Sequence, residues 1–161
     1  MENEQALRAQ ICAAGLELFR QEGLRFTVQQ AAQAVHVSKK TVYCVYSSKE
    51  ELLLDMIDEA FRKIHVRKQA ILDGPGSLQE KLRAVIIALP EEYTALDLQQ
   101  MNLLDEKYPR LARRVRTHLE TGWEPTLALL EEAMDRNIIR RVSLPVLQRM
   151  ISASIECFLQ D

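Results

Sequence analysis

The sequence predicts an all-α fold in two parts, a group of short helices at the front and a larger helical half behind it. Three observations carry this. Apolar residues recur at spacings of three and four, and no segment alternates with the period of two that a half-buried strand needs. Hydroxyl residues stand three positions ahead of Gln or Glu at Thr27–Gln30, Ser48–Glu51 and Ser77–Glu80, which is how a capping box at a helix start reads in sequence. One strong breaker, Asp73-Gly74-Pro75-Gly76, divides the chain.

The elements follow in order. Residues 5–22 set Leu7, Ile11, Ala14 and Leu18 on one helical face, with Phe19 widening it, and Gly23 suits the left-handed residue that closes such a helix. Thr27 opens a short second helix whose apolar residues, Val28, Ala31, Ala32 and Val35, run out by His36-Val37. Ser38 caps a third helix of about two turns. Ser48 and Glu51 start a long fourth one that buries Leu52, Met56, Phe61 and Ile64. Three short helices with a three-residue break between the second and third make a helix-turn-helix pattern.

Past the breaker, Ser77 opens a helix carrying Leu78, Leu82, Val85 and Leu89, ended or kinked at Pro90. Residues 94–106 hold a weaker apolar stretch with Met101 in it. Pro109 suits the first turn of a long helix through Leu111, Val115, Leu119, Trp123, Leu127, Leu130 and Met134, bent by Pro125. Ser143 and Pro145 open a last helix with Leu147, Met150, Ile151 and Phe158. The reading divides the chain into a domain at 1–50, a connecting helix at 51–72 and a second domain at 73–161.

Composition narrows the classes. With 47% hydrophobic, 27% charged and 6% aromatic residues, the chain matches an ordinary soluble domain rather than a fibre or a disordered segment. No run of about 18 apolar residues exists, so no membrane span is expected. The opening Met1-Glu2-Asn3-Glu4-Gln5 is unlike a secretory signal. Cys12, Cys44 and Cys157 form no CxxC pair, which argues against a disulfide framework or a zinc site and for a reducing cytoplasm. His36, His65 and His118 lie in no metal-ligand spacing, so neither a metal nor a cofactor is expected. An enzyme reading finds no nucleophile–base pair and no phosphate loop.

Charge distribution is more informative than the net value of −2. Residues 23–49 carry Arg25, Lys39, Lys40 and Lys49 and no acid, whereas 50–59 carry Glu50, Glu51, Asp55, Asp58 and Glu59 and no base. Lys39 and Lys40 crowd the first turn of the third helix and Lys49 that of the fourth. Each is disfavoured there by the helix dipole, by roughly 0.3–1 kcal/mol, unless an external anion faces it. Tyr43 and Tyr46, three apart, share a side of the third helix. Hydroxyls, cations and helix starts without an acid suit a surface that meets DNA phosphate and groove. A second acid-free basic run, Lys107 to Arg116, reads as a solvated helix face.

Phe19 and Gly23, then Thr27-Val28, Ala32, Val37-Ser38, Thr41-Val42-Tyr43, Tyr46 and Ser48-Lys49-Glu50-Glu51-Leu52 follow one another in a chained pattern over roughly residues 5–60. In this the sequence resembles the DNA-binding domain of the tetracycline-repressor (TetR) family of bacterial regulators. The resemblance implies that residues 38–44 form a recognition helix in the major groove. It makes Thr27, Tyr43, Tyr46 and Lys49 backbone contacts and brings Lys39, Lys40 and Thr41 nearest the bases, with Ser38 and Cys44 on the same helix. His36 stands where a turn glycine is usual in the family, Val45 where an aromatic or histidine is usual, and Ala31 replaces a larger branched residue.

The resemblance further implies an N-terminal helix-turn-helix domain and a C-terminal helical ligand-binding and dimerisation domain. The expected partners are a double-stranded DNA operator, a second copy of the chain and an unidentified small-molecule effector, with no membrane. Two long closing helices are usual; residues 144–158 read as the first, so either a further helix lies outside the 161 residues or dimerisation works differently here. Tyr93, Met101, Trp123, Leu127, Met134 and Met150 are candidates for an effector pocket, and equally for plain core. A rival reading keeps the scaffold as a helical protein-interaction adaptor without operator binding.

Overall fold

The computed structural model describes residues 2–86, 88 and 107–160, and the elements among them are helical: α1 (Glu2–Glu22), a 3-10 turn (Gly23–Arg25), α2 (Val28–Ala34), α3 (Lys39–Val45), α4 (Lys49–Asp73), α5 (Leu78–Ile86), α6 (Pro109–Glu120), α7 (Glu124–Asp135) and α8 (Leu144–Gln160). The apolar stretch expected at 94–106 lies outside the described residues.

Local chemistry sets the front boundaries. Thr27 and Gln30 form the reciprocal capping box, Thr27 Oγ1 accepting from the Gln30 N–H at 3.2 Å and Gln30 Oε1 from the Thr27 N–H at 2.7 Å. Ser38 Oγ accepts from the Thr41 N–H at 3.0 Å, which starts α3. Ser48 Oγ accepts from Glu51 N–H at 3.1 Å, but the Glu51 carboxylate reaches one residue past the expected partner, to Ser47 N–H at 2.5 Å. Between α2 and α3 the chain reverses through His36, whose φ of 56° is left-handed. The His36 N–H reaches Gln33 O at 3.1 Å and the Val37 N–H reaches Ala32 O at 2.9 Å, the bonding of a Schellman closure with histidine where glycine is preferred.

Two buried clusters result. Ile11, Leu24, Phe26, Ala32, Val42, Tyr46, Leu52 and Met56 pack α1–α4 together, and Leu111 and Ala112 of α6 enter the same core. Leu82 and Val85 of α5 meet Leu129, Leu130 and Ala133 of α7 in a second cluster, with Ile71 and Leu72 from the far end of α4 against it. Helix α4, about 37 Å long by its rise per residue, is therefore anchored in both.

One expected element is two. The long helix read over 109–134 breaks at Thr121–Trp123, between α6 and α7. Gly122 has φ 72° and cannot continue a right-handed helix, and a Cβ there would overlap the His65 ring. Pro125 does not bend a helix but lies in the first turn of the next, where its missing N–H goes unnoticed.

Charge complementarity joins α6 to α4. Arg110 Nη1 lies 3.2 Å from Glu50, Arg114 donates twice to Asp58 at 2.6 and 2.7 Å, and His118 Nε2 reaches Asp58 at 2.7 Å. The His118 ring stacks on Phe61, centroids 4.4 Å apart. The second basic run is thus in part an internal clamp, where the sequence suggests a solvated face.

Candidate nucleic-acid interface

The third helix presents the expected cations. Lys39 and Lys40 are exposed on its first turn, and Tyr43 is 44% exposed with Lys39 Nζ 5.8 Å from its ring centroid. Neither α2 nor α3 has an acid in its first turn. Thr27 is exposed at the start of α2, and Ser38 with Thr41 (Oγ to Oγ1 2.7 Å) at the start of α3. Cys44 is exposed as well, so it is not the packing residue that its size suggests. Thr27, Ser38, Lys39, Lys40, Tyr43 and Cys44 are therefore brought to accessible positions on α2 and α3, with Thr41 half-buried between them.

Tyr46 lies elsewhere than on the exposed face of α3. It is only 1% exposed, in the core, and its hydroxyl donates to Asp55 Oδ2 at 2.5 Å and lies 3.1 Å from Arg8 O. Burial first, then the Asp55 hydrogen bond, pushes its phenol pKa up. Arg8 covers the ring face at 4.6 Å and donates its Nε to Asp55 at 2.9 Å. This Arg8–Tyr46–Asp55 group, which sequence reasoning missed, ties the end of α3 to α1 and α4. The Tyr46 hydroxyl is thereby engaged inside the core at the end of α3.

Lys49 is half-buried and engaged within the chain. Its ammonium donates to the carbonyls of Leu24, at 2.7 Å, and of Phe26, and sits 4.4 Å above the Phe26 ring. The cation expected to face an external anion closes the carbonyl end of the 3-10 turn. Burial, with Lys107 second, holds its pKa below the ordinary lysine value.

The effector-pocket candidates divide. Tyr93 and Met101 lie outside the described residues. Trp123 is half-buried, its indole N–H on Leu119 O at 2.8 Å and Lys68 Nζ 5.5 Å from its ring. Leu127 packs on the second core, and Met134 is buried with its sulfur 3.2 Å from the Val142 N. Met150, at 62% exposed, lies on the outer face of α8. Thr126, which the sequence does not single out, is buried on α7 with its hydroxyl unpartnered among the described residues. No group of three His, Cys, Asp or Glu among the described residues could hold a metal, and no helix there is long and apolar enough to cross a membrane.

Residues 11–56 match the family model described as bacterial regulatory proteins, tetR family. The chain is 26% identical over 146 residues to an uncharacterized HTH-type transcriptional regulator, YvaF, of Bacillus subtilis, covering 90% of this chain and 77% of that protein. Among solved structures it resembles the fatty acid degradation regulator FadR of Bacillus halodurans (TM-score 0.71, 17% identity, 95% of this chain and 82% of that one). It also resembles the TetR-family regulator PfmR of Thermus thermophilus (TM-score 0.66, 19% identity, 94% and 85%). At such identities the likeness of the structures is one of fold.

Proposed function

We propose that this chain, whose residues 11–56 match the model of the tetR family of bacterial regulatory proteins, is a DNA-binding transcriptional regulator, and that it acts as a homodimeric repressor that releases a palindromic operator when a small molecule binds its C-terminal half. The observation that carries the DNA-binding part is the exposed row Lys39, Lys40 and Tyr43 on a capped α3 with no acid in its first turn. In this reading two such helices enter successive major grooves about 34–36 Å apart.

A dimer is supported by α8. Its inner face packs toward α6, with Ser152 Oγ donating to Leu119 O at 3.0 Å. Its outer face exposes Val146, Met150, Ala153 and Cys157 at spacings of four, three and four, an apolar stripe suited to a second copy. Effector control is supported by the Asp58 clamp, because a shift of α6 would pull on α4 and change the separation of the two heads. The unpartnered Thr126 hydroxyl offers such an effector a polar anchor.

Lys40→Ala and Tyr43→Ala are expected to weaken operator binding in a mobility-shift assay with unchanged helical content. Wild-type affinity for both variants at moderate salt would remove the surface. The adaptor reading instead expects no duplex binding by the parent protein.

A further inference from the structure

We propose that one row of α3, Lys40 with Cys44, reads the base edges of the operator, while the neighbouring row, Lys39 with Tyr43, lies on the phosphate wall of the groove. Each half-site then carries a guanine opposite Lys40 and, about two base-pair steps away, a thymine whose methyl meets Cys44. The inference rests on the DNA-binding reading and names bases that it leaves open. Burial sorts the residues of α3. Val42 is 1% exposed and Val45 packs on the same core, so the two mark the inward side. Opposite them four exposed residues form two rows at a spacing of four, Lys39 with Tyr43 and Lys40 with Cys44. Thr41, expected among the residues nearest the bases, belongs to neither. It is half-buried, its N–H donates to Ser38 Oγ at 3.0 Å, and its hydroxyl lies 2.7 Å from the same oxygen.

Size and chemistry separate the two rows. A helix about 10–12 Å across fills a major groove about 12 Å wide, so its apex meets base edges and its flanks meet the walls. A rigid phenol ring at the apex holds the helix away from the bases, whereas on a flank it reaches the wall. Lys39 Nζ lies 5.8 Å from the Tyr43 ring centroid and shares that flank, where an ammonium and a phenol hydroxyl both donate to phosphate oxygens. The other row ends in the short side chain of Cys44, which lets the helix approach the groove floor. Lys40 there donates to O6 and N7 of guanine, and the Cys44 thiol, a small apolar group, packs on the C5-methyl of thymine. Four residues rise about 6 Å along the helix, against about 3.4 Å per base-pair step, which sets the separation of the two bases.

The test uses the full chain to select duplexes from a randomised pool, then measures affinity for the selected half-site with single atoms removed. Replacing the guanine by 7-deazaguanine deletes N7, and replacing the thymine by deoxyuridine deletes only the methyl. The parent should lose about tenfold with the first and several-fold with the second. Lys40→Ala should be indifferent to the guanine change, and Cys44→Ser to the thymine change. Lys39→Ala should keep both preferences while flattening the slope of log K against log salt by about 0.9 per bound copy. Half-sites without the guanine–thymine pair overturn this inference, as does a Cys44→Ser variant that still prefers thymine to deoxyuridine. A guanine preference lost with Lys39→Ala and kept with Lys40→Ala overturns it too, and each of these results leaves the recognition helix standing. If no substitution at positions 39, 40, 43 or 44 changes affinity or preference, the DNA-binding surface itself is wrong.

Discussion

Asp58 of α4 accepts two hydrogen bonds from Arg114 of α6, at 2.6 and 2.7 Å, and one oxygen also meets His118 at 2.7 Å. A bidentate guanidinium–carboxylate pair fixes orientation as well as distance. The pair links the helix anchored in both cores to the half expected to sense a ligand.

Asp58→Asn should lower thermal stability by about 1 kcal/mol, because the pair is partly exposed. The pH dependence has a definite sign. Arg114 first, then His118, hold the Asp58 carboxyl below its ordinary value, so its contribution is present above the unfolded value near 3.8 and is lost as pH falls through the lowered one. Acid unfolding of the parent, followed by circular dichroism, should therefore be steeper below about pH 4 than that of Asp58→Asn. Identical acid limbs would show that the pair contributes nothing.

Tyr46→Phe removes a buried hydroxyl from a half-buried acceptor, Asp55, and is expected to destabilise the fold by about 1 kcal/mol. At a temperature where the variant is fully folded, its operator affinity should equal the parent's. A loss of affinity there, with a reduced salt slope, would return Tyr46 to the DNA surface.

His36→Gly relieves a left-handed residue. The strain relieved, about 1–2 kcal/mol, exceeds glycine's backbone entropy cost of about 0.5–1 kcal/mol, so a net gain of about 0.5 kcal/mol is expected. His36→Val, β-branched at the same φ, should lose stability instead. Thermal melts of the two variants should bracket the parent, and the opposite order would contradict the turn geometry.

The elements legible in the sequence are those set by short-range chemistry. Thr27 with Gln30, Ser38 with Thr41 and Pro109 at a helix start each depend on atoms within a few residues, and each lies where the pattern puts it. The misreadings have long-range causes. Tyr43 and Tyr46 share a face only if the helix continues, but α3 ends at Val45 and Tyr46 is extended (φ −126°, ψ 118°), which turns its ring into the core. The dipole of its own helix points Lys49 toward an external anion, while its actual partners, Leu24 and Phe26, lie over twenty residues earlier. The acidic run at 50–59 and the basic run from 107 are both visible, yet no pattern within either tells that Asp58 meets Arg114. Trp123 and Leu127 continue the apolar spacing of α6 across Gly122, so periodicity hides a break that the glycine's φ enforces.

The most direct measurement of the central claim is chemical protection of guanine N7, a major-groove atom, in a duplex bound by the full-length protein. Two protected clusters related by a two-fold axis and about 34–36 Å apart, both lost with Lys40→Ala, are the predicted result. Bound duplex with unprotected N7 atoms, or protection that survives in Lys40→Ala, would contradict a recognition helix at Lys39–Val45.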